Sequence, residues 1–364
     1  MESDGARGLD SLRDLGVDVR LGEKAISIDP HRRVLTSNGT RNFDSVVVAT
    51  GASSVPVSVP GWRKPGVHIL DSQESYVSLR EAIPRTRKVA ILGSTLDALF
   101  VADRLTDLGL SVSLFAEINA LAGAFGAGAW ERVLSEAETL GVRIFPSGDE
   151  SIVGLDKAEA VISDGRIVPC DAVVMTPKTV VRLPSMAASL GEHGGLVVDR
   201  FLRTTASRVF AAGDCVEFRS GGGSIPIMRQ STASAGGKVA GANASGASVV
   251  FNPVGCLEAN LFGVEIASAG LSLRESREAR LDAREVSLTR SGSTCWIVFD
   301  RARGRVLGLG VAGPDSAGVI GKLVLTVSKG AEIRELVYEE TLGSTDISLV
   351  ADTAREGLKA CQGS

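Results

Sequence analysis

Short, uninterrupted apolar runs, each closed by glycine or a small polar residue, punctuate the first two thirds of the chain. Residues 43–49 (FDSVVVA) end at Thr50-Gly51, and residues 88–92 (KVAIL) end at Gly93. Residues 172–175 (AVVM) are similar, and residues 208–212 (RVFAA) run into Gly213-Asp214. Apolar runs without polar alternation mark strands buried on both faces, as in a parallel sheet. After Gly93 the period changes. Leu96, Leu99, Phe100, Leu105 and Leu108 recur at helical spacing, Gly109 offers a stop, and residues 111–115 (SVSLF) read as the next strand, ending at Glu117. This is a βαβ unit of about 30 residues, the size of a dinucleotide-binding motif.

Elsewhere the pattern is shorter in range. Residues 8–16 read as a helix, 17–21 and 24–28 as strand material, and 34–36 as a strand turning at Asn38-Gly39. Pro56, Pro60 and Pro65 make residues 52–66 a connecting loop. A helix is expected at 128–140, strands at 142–145 and 196–199, short strands within 151–163, and a helix rich in small residues at 230–243. Beyond Pro253, residues 264–273, 283–288, 295–300 and 306–311 read as antiparallel strands, and 314–360 mostly as helices. Ser272 and Glu275 fit a capping box. Strands followed by helices signal an α+β unit.

Composition narrows the classes. The chain has 364 residues, a formal net charge of −4 and 44% hydrophobic residues. That suits two or three globular domains, with no basic footprint for nucleic acid. No apolar run approaches the ~20 residues of a membrane span, and the N-terminus lacks a secretory signal, so a cytoplasmic location is expected. The five cysteines (170, 215, 256, 295 and 361) form no CxxC pair, and the three histidines are far apart, so no metal site is expected. Gly237-Lys238 and Gly321-Lys322 both fail the phosphate-loop pattern, and no nucleophile elbow is present.

The candidate chemistry sits where strands end. Gly93-Ser94-Thr95-Leu96-Asp97-Ala98 occupies the position of a G-x-G-x-x-G/A fingerprint, in which the first glycine makes the turn and the last small residue lets helix and strand touch. Gly93 and Ala98 keep those places, whereas Thr95 replaces the glycine that lets pyrophosphate approach. Glu117 stands where a carboxylate would accept the ribose hydroxyls of NAD. The second candidate pairs Ala49-Thr50-Gly51 with Ala212-Gly213-Asp214. A carboxylate held at a glycine turn after a buried strand can bond a ribityl hydroxyl or approach a phosphate through water.

Taken together, VVVATGAS (46–53), Pro60-Gly61 with Gly66-Val67, KVAILGSTLDA (88–98), RTTASRVFAAGDCVE (203–217) and residues 226–243 resemble the FAD-dependent pyridine nucleotide–disulfide oxidoreductases. The likeness runs from about residue 9 to the C-terminus and extends to the coenzyme A-disulfide reductase, NADH oxidase and ferredoxin reductase branches. It implies an α/β fold in which a truncated FAD-binding domain (1–80 and 186–250) holds an inserted Rossmann-like NAD(P)-binding domain (81–185). A C-terminal α+β dimerisation domain (251–364) follows. It also implies FAD-side positions at Ala49, Thr50, Gly51, Gly213 and Asp214, and NAD(P)H-side positions at Gly93, Ala98 and Glu117. The implied function is hydride transfer from nicotinamide to flavin and on to a small-molecule or protein acceptor, in a homodimer. Three features depart from the pattern. No glycine fingerprint precedes residue 93, so the front ADP-binding βαβ unit of the family is expected to be missing and FAD to be held weakly or in part. Phe100 stands where the family carries Glu, and no cysteine has a redox context. The alternative is a non-catalytic dimerising or regulatory subunit with degenerate cofactor sites.

Overall fold

The computed structural model describes residues 9–55, 58–117, 125–220, 222–314, 316–338 and 345–362. At its centre lies a five-stranded, wholly parallel sheet. Its order is Val67–Ile69, Ala172–Met175, Lys88–Leu92, Ser111–Ala116, Arg143–Pro146. Ala90, Ile91, Val173 and Val174 are fully buried, as the unbroken apolar runs require. Helix Leu96–Asp107 crosses between the second and third of these strands in chain order and buries Ala98, Leu99, Ala102 and Leu105. Helix Ala127–Thr139 makes the next crossover, and helix Gln73–Ala82 precedes Lys88–Leu92. An antiparallel meander, Ser151–Val153, Ala160–Ser163 and Arg166–Pro169, closes one side. The sheet draws an edge strand from residues 67–69, where three residues with a central His68 left no periodic signal.

The flanking body is assembled from two stretches of chain. Val46–Val48 pairs in parallel with Val209–Ala211, and Leu196–Val198 with Val216–Ser220, which turns back antiparallel into Gly223–Ile225. A two-stranded ribbon, Ala52–Ser54 against Thr179–Val181, carries the chain out to the central sheet and back. Ala25–Ile28, Arg33–Thr36 and Gly39–Asn42 form an outlying antiparallel meander, which Ser185–Met186 joins in parallel beside Ala25–Ile28. Two local expectations need correction here. Residues 17–21 form no strand: Val17 and Leu21 are exposed and find no partner face. In the hairpin, Thr36 pairs with Gly39, so Ser37-Asn38 is the loop and Gly39, at φ 126°, opens the return strand.

The C-terminal body is a five-stranded antiparallel sheet ordered Cys256–Leu261, Val264–Gly270, Val306–Ala312, Ser293–Asp300, Ala283–Arg290. One face, through Ile297, Phe299 and Leu309, packs on helices Ile320–Lys329 and Thr345–Gln362 and the short helix Ile333–Leu336. The other face, through Trp296 and Val298, shares a hydrophobic core with the helices of the central sheet. Strand Ser293–Asp300 is therefore covered on both sides and lacks the apolar/polar alternation of a solvated antiparallel strand. The expected capping box is present: Ser272 Oγ accepts the Glu275 N–H at 3.2 Å, and Glu275 Oε2 accepts the Ser272 N–H at 2.8 Å.

Candidate functional site

The two glycine turns of the flanking body leave the same edge of adjacent strands. Val46 is registered with Val209 and Val48 with Ala211, and the Ala212 N–H donates to the Val48 carbonyl at 3.0 Å. Ala49-Thr50-Gly51 and Ala212-Gly213-Asp214 thus stand side by side at the carboxyl ends of parallel strands, where open α/β sheets bind ligands. Gly51 (φ 64°) and Gly213 (φ 82°) occupy the left-handed region, which penalises a side chain. A Cβ at Gly51 would meet nothing within 4 Å, so the turn faces open space rather than packed protein. Beneath the turns, Cys215 is fully buried, and its Sγ lies 3.3 Å from the Ala212 carbonyl and 3.5 Å from that of Val48. Burial pushes the Asp214 carboxyl above its ordinary value. Helix Gln230–Ala244 packs across both strands, and no side chain caps its N-terminus.

Glu217 fixes this edge from behind. Its fully buried carboxylate accepts the N–H groups of His193 (3.0 Å) and Gly195 (2.8 Å) through Oε1 and the Ser224 hydroxyl (2.7 Å) through Oε2. The strand that leaves Asp214 is thereby tied to the 191–195 loop.

A second edge gathers the remaining candidates. The Gly93 N–H donates to the Phe115 carbonyl at 3.1 Å, and a Cβ on Gly93 would overlap the Thr176 side chain. Glycine is needed there for close approach. Ala98 is completely buried against the sheet. Thr95 caps helix Leu96–Asp107 without a side-chain bond to it; its hydroxyl lies 3.2 Å from that of Thr176. A helix start attracts a phosphate through its first-turn N–H groups, although here the Ala98 N–H already donates to the Thr95 carbonyl at 3.0 Å and Asp97 in the same turn carries like charge. The Glu117 N–H donates to Ser94 Oγ at 2.7 Å, and its exposed carboxylate lies 4.0 Å from Lys178 Nζ. Phe100 is half-buried against the core.

The sequence-selected residues therefore fall into two sets. Ala49, Thr50, Gly51, Gly213 and Asp214 share one sheet edge, and Gly93, Ala98 and Glu117 share another. Sequence reading passed over Ser94, Thr176, Lys178 and Glu217. The Thr176-Pro177-Lys178 stop after the AVVM run was the available signal for two of them, since a residue closing a parallel strand lies at the ligand edge. Among the described cysteines, Cys170, Cys215 and Cys295 are buried, and burial pushes the Cys170 thiol up to about 11.

Comparison with known proteins bears on the same residues. Residues 5–237 match the family described as pyridine nucleotide-disulphide oxidoreductase. A nitric oxide reductase FlRd-NAD(+) reductase of Aeromonas hydrophila is 31% identical over 216 residues, covering 56% of this chain and 53% of that protein. The NAD(P)H sulfur oxidoreductase (CoA-dependent) of Pyrococcus furiosus is 24% identical, covering 90% of this chain and 79% of its own length. The structure of an NAD-dependent persulfide reductase from A. fulgidus superposes with a TM-score of 0.84 at 23% identity, covering 98% of this chain and 72% of the other. That likeness establishes the fold: a two-part body, an inserted Rossmann-like unit and a C-terminal α+β unit. Several curated relatives are matched over half their length or less, 27% in an assimilatory nitrate reductase electron transfer subunit of Bacillus subtilis.

Proposed function

Because the chain belongs to the pyridine nucleotide-disulphide oxidoreductase family, we propose that it is an FAD-linked NAD(P)H oxidoreductase. One observation carries this reading: the Ala49–Gly51 and Ala212–Asp214 turns are neighbours on paired parallel strands, with a left-handed glycine in each and open space at Gly51. The residues fit a flavin nucleotide, since Gly51 and Gly213 let its backbone come close and Asp214 offers an acceptor for a ribityl hydroxyl. When bound, FAD supplies an acceptor for the nicotinamide hydride and a relay for its electrons. The chain's own part is to hold and orient. Gly93 seats the helix start against the sheet, the N-terminal end of that helix receives the pyrophosphate, and Glu117 accepts from the ribose. A 2′-phosphate would face the Glu117 carboxylate, with the exposed Lys178 the cation paired to it among the described residues, which favours NADH over NADPH.

In this reading residues 1–80 and 186–250 serve the flavin, 81–185 the nicotinamide, and 251–364 pairing into a homodimer. Both faces of the C-terminal sheet are occupied within the chain, so pairing would use the outer surface of its helices, where Leu325 and Tyr338 are exposed. The electron acceptor is a protein carrier, oxygen or a quinone-like dye rather than a disulfide, because the thiol next to the site, Cys215, is sealed beneath it. A non-catalytic role draws support from Thr95 and Phe100, which stand where the cofactor pattern calls for Gly and Glu. Anaerobic addition of NADH to FAD-reconstituted protein decides between them. Loss of the visible flavin absorbance is expected, and persistence of the oxidised spectrum at saturating NADH would exclude the oxidoreductase reading. Asp214→Ala should weaken flavin binding about tenfold, the loss of one hydrogen bond to a charged group, read by fluorescence titration.

A further inference from the structure

A cavity of about 490 Å³ lies away from both sheet edges, at the seam between the Val216–Ser220/Gly223–Ile225 hairpin and the C-terminal sheet. Its volume is in the range of small-molecule sites. The wall has two characters. Ile227, Leu307 and Val327 are only half-buried and turn aliphatic surface into the space. Around the rim stand Arg219, Arg303 and Arg305, all exposed, and none has an ion-pair partner among the described residues.

Three arginines line the space with a single acidic residue, Asp300. Asp300 is already engaged: its Oδ1 accepts the N–H groups of Ala302 (3.0 Å) and Arg303 (2.8 Å), which shapes the turn that presents Arg303. Glu332, bridged through the backbone to Arg305, pairs with Arg334 at 2.7 Å instead. Among the described residues no carboxylate is therefore ion-paired to these three arginines. Exposed like charges gathered around an apolar hollow repel one another, and guanidinium groups are the planar donors best matched to phosphate oxygens.

We propose that this seam is a binding site for an organic phosphate ester, with Arg219, Arg303 and Arg305 holding the phosphate and the aliphatic floor of Ile227, Leu307 and Val327 covering the apolar part. It is separate from the flavin and nicotinamide edges. Because its walls come from both the flanking and the C-terminal bodies, occupancy couples the two and raises the melting temperature.

The test is calorimetric titration of naphthyl phosphate into FAD-loaded protein kept saturated with NAD⁺, which occupies the dinucleotide sites. Parallel titrations use inorganic phosphate and naphthol. One saturable site is expected, with naphthyl phosphate binding about tenfold or more tightly than either fragment, because both the charged and the apolar contacts are needed. Arg303→Gln, on an exposed turn, and Arg305→Gln, at the exposed bridge that follows it, should each weaken binding about tenfold. Val327→Trp, which fills the floor from a different element, should abolish it. The proposal falls if naphthyl phosphate shows no saturable binding, if inorganic phosphate binds as tightly, or if the arginine variants bind like the parent.

Discussion

Asp103 shows how much one side chain can decide. Its carboxylate, in helix Leu96–Asp107, is only 5% exposed and accepts the Phe262 N–H at 2.9 Å. Phe262 and Gly263 form the two-residue turn between Cys256–Leu261 and Val264–Gly270, with φ of 53° and 79°. Positive φ at both positions is the type I′ hairpin, strained at a bulky residue such as Phe262. The acceptor from Asp103 offsets that strain. Burial raises the Asp103 pKa despite this bond. An acid raised in the folded state contributes stability below its unfolded pKa and loses it as pH climbs through the folded value. Asp103→Asn keeps the acceptor without the charge. Denaturant melts should therefore show parent and Asn variant converging at acid pH, with the Asn variant gaining relative to the parent as pH rises above the ordinary aspartate range. Asp103→Ala should cost about 1–3 kcal/mol at acid pH, because the turn N–H is left buried and unpaired, and that deficit should shrink as pH rises and the parent loses stability.

Among the elements, the helix Leu273–Glu278 depends on its capping box more than longer helices do, since six residues add little intrinsic helicity. Ser272→Ala should lower unfolding free energy by about 1 kcal/mol in chemical denaturation. Glu217→Ala should be severer, at about 3 kcal/mol or more, because it removes the shared acceptor of two backbone N–H groups and a hydroxyl. Urea melts would read that loss, and Glu217→Gln should recover part of it. These elements also mark how far the sequence could be read. Lys88–Leu92, Ser111–Ala116, Ala172–Met175 and Val209–Ala211 were legible because a strand buried on both faces is written as a contiguous apolar run. The neighbouring glycines then marked where two of those strands, Lys88–Leu92 and Val209–Ala211, end. Val67–Ile69 was not, being three residues recruited by a sheet whose other strands lie later in the chain. Residues 17–21 carried β-type residues with no surface to bury them. Asp103 and Glu217 read locally as polar surface positions, since nothing within ten residues of either reveals the backbone groups they serve.

At the scale of the molecule, the central and C-terminal bodies are one packing unit. Trp296 is 3% exposed and fills a slot whose walls are Gly126, before helix Ala127–Thr139, and Gly310 of the C-terminal sheet. A Cβ at either glycine would overlap the indole ring. Glu285 adds a polar tie by accepting the Ala127 N–H at 3.2 Å, and burial pushes its carboxyl upward. The shared core predicts a single cooperative unfolding transition for these two bodies by fluorescence and circular dichroism alike. Trp296→Ala should lower that transition as a whole, by about 3–5 kcal/mol, without splitting it. Gly310→Ala should cost about 1–3 kcal/mol by overpacking against a ring that cannot fold away.

That slot constrains how the scaffold can be re-engineered. A graft that exchanges the Rossmann-like unit for that of another protein would carry Gly126 and Asp103 away from the indole and hairpin built to receive them. The transplant succeeds only if residues 261–264 and position 296 travel with it, so the heritable module is larger than the Rossmann-like segment and discontinuous along the gene.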